Sequence, residues 1–173
     1  MPIWTVHTPA TSPSGALHGM PLAIFLGVGP PELTDLLYAG AKLRPENVCL
    51  VGVRSYEPEE AELLHRLGVR VITMDEVRAL GLMRSLGEAF AIASRGTAAV
   101  GLSIDLDAVD PADAPGVGTP VPNGLRGADL VESLRRLAPQ PVLAEIAEFN
   151  PLHDREDKTA RLVIDLLAAC WSR

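Results

Sequence analysis

The chain has 173 residues, of which 47% are hydrophobic and 21% are charged, and its formal net charge is -7 at pH 7. This length predicts one domain, residues 1–173, with a hydrophobic core of its own. The negative charge argues against binding to nucleic acid or to an anionic membrane surface, because either needs a concentrated basic patch. The remaining classes are small-molecule chemistry and association with protein partners.

The cysteines and the N-terminus predict a soluble, cytoplasmic protein. The first residues, MPIWTVHTP, lack a basic segment followed by an apolar one, and no run approaches the ~20 apolar residues that span a bilayer. Cys49 and Cys170 lie far apart in apolar surroundings, without metal-binding spacing. We therefore expect two free, buried thiols in a reducing compartment.

Helix and strand patterns alternate along the chain. A loop at 9–19 leads into short helices at 20–27 and 30–41, the second opened by prolines. Short apolar runs predict strands at 48–53, 69–74, 97–105 and 141–149. Amphipathic patterns predict helices at 57–68, at 75–95 with a weak point at Gly81, at 127–138 and at 157–173. This alternation predicts an α/β fold whose parallel sheet is covered on both faces, with ligands bound at the carboxyl ends of its strands.

The segment SIDLDAVDPADAPGVGTPVP, residues 103–122, is the strongest candidate for a site. An alternating strand places Ser103, Asp105 and Asp107 on one face. Carboxylates that close together repel each other unless a proton or a cation lies between them, and oxygen ligands suit a divalent cation. The Gly- and Pro-rich loop that follows fixes a backbone path beside them. The alternative is that Asp107 and Asp110 only start turns, as Asp often does.

Other polar residues fall near the same predicted edge. Glu57 and Glu148 come at the ends of predicted strands. His18 lies in the polar loop SGALHGMP, where an imidazole can act as a general acid or base, although a loop histidine is often an exposed residue without a role. The acidic run Glu57, Glu59, Glu60 and Glu62 also has a simple interpretation, a solvated helix start that favours the helix dipole.

These motifs resemble a known family. The segment SIDLDAVDPADAPGVGTPVPNGL resembles the signature of the ureohydrolase superfamily, and HTPATSPSGALHGMPLA resembles the substrate loop of arginases. VGVRSYEPEE and AEIAEFNPLHDREDKTA resemble further arginase segments in the same order, so the likeness extends from about His7 to the final helix. The resemblance implies a three-layer α/β/α fold with a mainly parallel sheet.

The resemblance also implies an activity. Arginases hydrolyse L-arginine to L-ornithine and urea with a binuclear Mn²⁺ centre, whose bridging hydroxide attacks the guanidinium carbon. Asp105 and Asp107 resemble two metal-ligating aspartates of that centre, and His18 resembles the histidine proposed to shuttle protons. Glu148 resembles the glutamate that holds the substrate guanidinium by a charge-assisted hydrogen bond. A homo-oligomer is implied as well.

The substrate-binding positions are less complete. Ser14 and Glu57 match positions that contact the amino acid end of the substrate, with Glu57 standing where arginases usually have Asp. Thr119 matches a threonine that lines the pocket. His7 and Ala16 replace two asparagines of the substrate loop, so the resemblance predicts altered recognition of the substrate α-carboxylate.

Most of the metal ligands that the resemblance leads us to expect have no counterpart. MPIWT occupies the place of the arginase DAHxD segment, so that Met1, Ile3 and Thr5 stand at ligand positions, and the GGDH segment is missing. A pair of carboxylates holds a divalent ion weakly, so we expect the chain alone to be a poor arginase. Because the resemblance covers the later arginase segments and not the family's N-terminal portion, we expect a sheet edge that is open to solvent or to a partner.

Three interpretations of function remain. The first is the C-terminal part of an arginase-type enzyme. The second is a non-catalytic relative that acts by association with a complete arginase subunit. The third is another guanidino or amidino hydrolase, with its specificity altered by Glu57, His7 and Ala16.

Overall fold

The computed structural model describes residues 6–137 and 140–171. The strands in this part of the chain are β1 (Cys49–Val53), β2 (Arg70–Thr73), β3 (Gly101–Asp105) and β4 (Leu143–Ala147). The α-helices are α1 (Pro21–Phe25), α2 (Pro31–Thr34), α3 (Pro58–Leu67), α4 (Met74–Leu80), α5 (Leu82–Ala93), α6 (Gly127–Arg136) and α7 (Lys158–Trp171). Short 3-10 helices occupy Leu17–Gly19, Pro45–Asn47 and Leu106–Ala108.

The strands pair in parallel, in two ladders of two strands each. β1 pairs with β2, and β3 pairs with β4 in a register that runs from Gly101 opposite Leu143 to Asp105 opposite Ala147. Helix α3 connects the first pair and helix α6 lies in the connection of the second, as parallel pairing requires. The predicted α/β class with parallel strands is confirmed.

Two predicted elements are shorter than expected. The helix predicted over 30–41 ends at Thr34, because Leu37 and Gly40 adopt left-handed backbone conformations that an α-helix cannot contain. The strand predicted over 97–105 begins only at Gly101. Thr97 instead lies in the segment that follows α5, and its hydroxyl donates to the carbonyl of Ala93, the last residue of that helix, at 2.8 Å.

Other helix limits follow the predicted signals. Gly81, with φ of 88°, separates α4 from α5 at the predicted weak point. Helix α3 starts with a reciprocal capping box between Glu57 and Glu60, and ends where Gly68 takes a left-handed conformation. The capping box places the start of α3 at Pro58, shortly after the end of β1 at Val53. It therefore holds Glu57 and Glu60 near the carboxyl end of that strand.

Two clusters of buried apolar side chains form the core. The larger joins both ladders to α6 and α7, because it contains Ile72 of β2, Ile104 of β3, Leu130 of α6 and Leu166 of α7. The smaller lies under α1 and α3 and includes Val6, Ala23, Val53 and Leu64. No helix in the described residues is long and apolar enough to cross a membrane.

Both cysteines are free thiols, as predicted. Cys170 is buried and Cys49 is partly buried. Burial raises the pKa of the Cys49 thiol to about 12, so that little reactive thiolate forms near neutral pH.

Arg54, the residue after β1, ties the two ladders together. Its guanidinium donates hydrogen bonds at 2.6–3.4 Å to five backbone carbonyls, those of Asp107, Ala108, Val109, Val121 and Pro122. These carbonyls belong to the turn after β3 and to the end of the Gly- and Pro-rich loop. The planar fork of an arginine can serve both segments at once, so Arg54 holds the loop against the end of β1.

Replacing Arg54 with lysine is expected to lower the free energy of unfolding by about 2 kcal/mol, because an ammonium group cannot reach carbonyls on both segments. Urea denaturation of the two proteins measures the difference. Arg66→Lys, an exposed arginine on α3, is the matched control and is expected to change stability by less than about 0.5 kcal/mol. Equal changes in the two variants would contradict the assigned role of Arg54.

Candidate active site

Asp105 and Asp107 lie at the carboxyl end of β3, but not on one strand face as predicted. The strand ends at Asp105, and the 3-10 helix Leu106–Ala108 follows. Asp105 caps that helix, since its Oδ1 accepts the Asp107 N–H at 2.8 Å. The period-2 alternation therefore stops before Asp107, and a tight turn brings its buried carboxyl group beside Asp105.

Thr119 lies next to Asp107, as the resemblance implied. Its backbone N–H points to Asp107 Oδ1 at 3.4 Å, across twelve residues of sequence. The loop between them is fixed from α7, because the Gly116 N–H donates to Thr159 Oγ1 at 2.7 Å. It is fixed again by a 2.9 Å contact between His153 Nδ1 and the Val117 carbonyl. The rigid loop predicted beside the aspartates is confirmed.

The alternative interpretation, that these aspartates only start turns, applies to Asp110 and not to Asp107. The carboxylate of Asp110 accepts the N–H groups of Ala112 at 2.9 Å and Gly124 at 3.1 Å. These backbone hydrogen bonds keep the pKa of Asp110 below its ordinary value. Asp110 is thus a structural residue that closes the loop.

Glu148 follows β4 and approaches the same loop. Its φ of 65° is left-handed, a strained conformation for a residue with a long side chain. A Cβ atom placed on Gly118 would lie 3.7 Å from Glu148 Oε2, so the carboxylate lies over the loop at Gly118. The carboxylate of Glu148 is also near enough to the end of β3 to raise the pKa of Asp105.

The three carboxyl groups influence one another electrostatically. Burial, with a contribution from the charges of Asp107 and Glu148, raises the pKa of Asp105 to about 7, although the hydrogen bond from the Asp107 N–H and the charge of Arg54 oppose that rise. Burial, together with the charge of Glu148, also raises the pKa of Asp107. Asp105, Asp107 and Glu148 are thus close enough to influence one another electrostatically, and their negative charges repel one another.

A second cluster, around His7, was not predicted from the sequence. His7 is buried, and its Nε2 lies 3.6 Å from Glu60 Oε1 and 4.0 Å from Glu57 Oε2. Glu60 is only 1% exposed, and its carboxylate accepts the N–H groups of Val6 at 3.3 Å and Glu57 at 3.2 Å. The interpretation of Glu60 as part of a solvated helix start is therefore wrong.

The reason for the burial of Glu60 is local. As the N3 residue of the capping box, Glu60 turns back to the start of α3. That start faces the segment after Val6, where His7 bonds through its N–H to the Gly19 carbonyl at 2.9 Å. The three-residue spacing from Glu57 to Glu60 is the sequence signal that predicts this capping box.

Two further predicted residues, Ser14 and His18, lie on the surface, in the segment that resembles the arginase substrate loop. Ser14 is exposed and its Oγ accepts the Ala16 N–H at 3.2 Å. His18 is exposed in the 3-10 helix Leu17–Gly19. Within the described part of the chain, no hydrogen bond or ion pair joins Ser14 or His18 to Asp105, Asp107 or Glu148.

The described residues do not complete a metal centre. Among residues 6–137 and 140–171, no group of three or more His, Cys, Asp or Glu side chains is arranged to hold a metal ion. Asp105 and Asp107 contribute oxygen donors, but a fixed binuclear centre needs ligands from several segments. Met1, Ile3 and Thr5, which occupy expected ligand positions, lie outside the described residues.

Because the pKa of Asp105 is raised, we predict that the free energy of unfolding in metal-free buffer depends on the pH through this residue. A carboxyl group with a raised folded-state pKa stabilises the protein below its unfolded pKa and loses that contribution as the pH rises through 7. Asp105→Asn is therefore expected to raise the free energy of unfolding at pH 8 by on the order of 2 kcal/mol. The gain is expected to shrink as the pH falls to 5.

Urea denaturation with EDTA at both pH values measures this effect. Asp165→Asn, an exposed position on α7, is the control and is expected to show no pH-dependent gain. A loss of stability in Asp105→Asn at pH 8 would show that Asp105 is not in a repulsive environment.

Comparison with known sequences identifies the relatives of this chain. The Arginase family model matches residues 5–171. An arginase from Brevibacillus brevis is 46% identical over 168 residues, and an arginase from Bacillus caldovelox is 43% identical over the same length. Each match covers 96% of this chain and 56% of the relative, so the chain spans about half the length of the curated relatives it matches.

Solved structures agree with the sequence relatives. The native arginase of Bacillus caldovelox at pH 5.6 superimposes with a TM-score of 0.93 at 42% identity, over 98% of this chain and 57% of that chain. A proclavaminate amidino hydrolase from Streptomyces clavuligerus gives a TM-score of 0.71 at 29% identity, over 88% of this chain and 47% of that one. The predicted arginase-like α/β fold is thus confirmed, and the chain belongs to the arginase family.

Proposed function

We propose that this chain is the C-terminal part of an arginase-type hydrolase that converts L-arginine, or a similar guanidino compound, to the amine and urea. The observation that carries the proposal is the position of Asp105 and Asp107 in one turn at the carboxyl end of β3, with Glu148 directly after the paired end of β4. Mutual repulsion makes such a cluster costly for folding, and a bound cation relieves that cost.

Two kinds of cation suit this cluster, a metal ion and the guanidinium group of the substrate. Asp105 and Asp107 are the proposed ligands from this chain to the Mn²⁺ centre that the resemblance implies. Their number is too small for a fixed centre, so the remaining ligands have to come from outside the described residues. We therefore expect negligible urea release from the described part of the chain acting alone.

Glu148 is proposed to hold the substrate guanidinium. A carboxylate and a planar guanidinium form short, charge-assisted hydrogen bonds, which fix the orientation of the cation as well as its position. Glu148 directly follows Ala147, which pairs with Asp105, and its carboxylate lies over the loop at Gly118, which suits a group that orients the substrate beside Asp105.

The amino acid end of the substrate is assigned to Ser14 and Glu57, the lining of the pocket to Thr119, and the proton shuttle to His18. His7 lies 4.0 Å from Glu57 and so competes with a substrate ammonium group for that carboxylate. This contact supports a second candidate, an amidino hydrolase with altered specificity, in line with the structural similarity to the Streptomyces enzyme. A panel of guanidino substrates with different α-substituents distinguishes the two.

A third candidate is a non-catalytic arginase-like subunit, and the incomplete metal ligand set in the described residues favours it. Co-purification with an intact arginase and an absence of manganese in the complexed chain would support that role.

For the proposed hydrolase, we expect a homo-oligomer located in the cytoplasm.

The test of the hydrolase proposal is a chimera, in which the part of the Brevibacillus brevis arginase that this chain does not span precedes residues 1–173. With Mn²⁺ added, we expect urea release from L-arginine.

Glu148→Gln in the same chimera is expected to lower kcat/KM by about 10- to 100-fold, because the charge-assisted hydrogen bond to the guanidinium becomes a neutral one.

Glu132→Gln, an exposed glutamate on α6, is the matched control and is expected to keep full activity. A well-folded chimera that binds Mn²⁺ but releases no urea would contradict the proposed reaction. Full activity in Glu148→Gln would contradict the assignment of Glu148.

A further inference from the structure

The Gly- and Pro-rich loop and the segment after β4 run side by side. Val117 forms an isolated antiparallel bridge with Phe149, and the Asn150 N–H donates to the Gly116 carbonyl at 2.8 Å. Val117 is 1% exposed, so the loop side of this pairing is buried. The pairing begins directly after Glu148 and therefore constrains the backbone at that residue.

The backbone at Glu148 needs such support. Its φ of 65° is a strained conformation for a residue with a long side chain, and strain of this kind persists only where the surrounding structure holds it. The contacts of Phe149 and Asn150 supply that support from the next two residues. The Glu148 carboxylate in turn lies over the loop at Gly118. The loop thus adjoins both the backbone and the side chain of this segment.

His153 adds a side-chain contact to the backbone pairing. Its Nδ1 lies 2.9 Å from the Val117 carbonyl oxygen. Because a carbonyl oxygen can only accept, the geometry assigns a proton to Nδ1, which donates it. Asn150 Nδ2 is 3.5 Å from the same nitrogen, too far to compete. The His153 N–H also donates to the Asn150 carbonyl at 3.1 Å, so the residue is restrained at both its backbone and its ring.

Helix α7 fixes the loop that accepts this hydrogen bond. The Gly116 N–H donates to Thr159 Oγ1 at 2.7 Å, and Thr159 is fully buried. A Cβ atom on Gly116 would lie 2.9 Å from Thr159 Oγ1 and from Asp154 Cβ, so the loop packs tightly against the start of α7. The Val117 carbonyl is therefore a fixed acceptor. A bond to it restrains the segment after β4 more than it restrains the loop.

The hydrogen bond of His153 and the strain at Glu148 are of similar size. The net contribution of one hydrogen bond to a backbone carbonyl is comparable with the cost of holding a residue in a sparsely populated conformation. Loss of this bond is therefore sufficient to let the turn at Glu148 relax in part of the molecules.

We propose that His153 is a positioning residue for Glu148. Its hydrogen bond to the Val117 carbonyl keeps the turn after β4 in the conformation that holds the Glu148 carboxylate over the loop. This inference rests on the proposed function, in which that carboxylate holds the substrate guanidinium. His153 itself does not touch the substrate in this role, since it acts through the backbone between the two residues.

The catalytic test compares two substitutions in the chimera with the Brevibacillus brevis arginase. His153→Leu keeps a branched side chain and removes the donor, whereas His153→Asn keeps an N–H at the same number of bonds from the backbone. A guanidinium held by Glu148 is held in the substrate and the transition state alike. We therefore expect KM to rise about 3- to 10-fold in His153→Leu, with kcat within about twofold, and His153→Asn to restore KM.

A purely structural effect has a different signature. Loss of folded enzyme lowers the apparent kcat and leaves KM unchanged. His65→Leu, at an exposed histidine on α3, is the matched control and is expected to change neither constant.

A second measurement is independent of catalysis. Amide hydrogen exchange in the 173-residue chain, followed by NMR, reports on the Asn150 N–H, which the Gly116 carbonyl protects. We expect exchange about 3- to 10-fold faster in His153→Leu and close to the unsubstituted rate in His153→Asn. The Asp110 N–H, which donates to the Leu125 carbonyl at 2.8 Å, is the internal control and is expected to exchange at the same rate in all three proteins.

The results separate this inference from the proposed function. Unchanged exchange at Asn150 in His153→Leu would overturn the inference, and so would equal effects of the leucine and asparagine substitutions. Faster exchange that asparagine restores, in a chain whose folded chimera releases no urea, keeps the positioning of the turn and counts against the hydrolase. Urea release with an unchanged KM in His153→Leu keeps the hydrolase and removes the inference.

Discussion

The repulsion among Asp105, Asp107 and Glu148 is the constraint on which this account depends. Burial and the neighbouring negative charges raise the pKa of Asp105 to about 7, so a fully ionised cluster opposes folding. The Asp107 N–H and the positive charge of Arg54 offset part of that cost, and the Arg54 side chain also clamps the loop. In the function we propose, a bound cation relieves the remaining repulsion, with a metal ion and a guanidinium as the two candidates.

Much of the site followed from the sequence because strand ends are predictable. The strand before Asp105 ended where expected, the strand before Glu148 ended two residues before the predicted limit, and parallel pairing brought both residues to one edge. The placement of Asp107 did not follow, because the Asp105 side chain caps a 3-10 turn that breaks the alternation. The burial of Glu60 was missed for a similar reason, since its position depends on a reciprocal cap and on a distant contact with His7.

Among the described strands β4 pairs only with β3, and the described residues contain no group of three or more side chains arranged to hold a metal ion. The chain spans about half the length of its curated relatives and superimposes closely on a solved arginase, so its own elements keep the local geometry of the family.

The most direct test of the central claim is the pKa of Asp105, measured by carbon-detected NMR titration of the carboxyl group in metal-free buffer. The account predicts a value near 7, and a lower value in the Glu148→Gln variant, because one of the repelling charges is then removed. A value close to 3.8, unchanged by that substitution, would mean that the carboxylates do not share one site, and the proposed cation-binding function would fail with it.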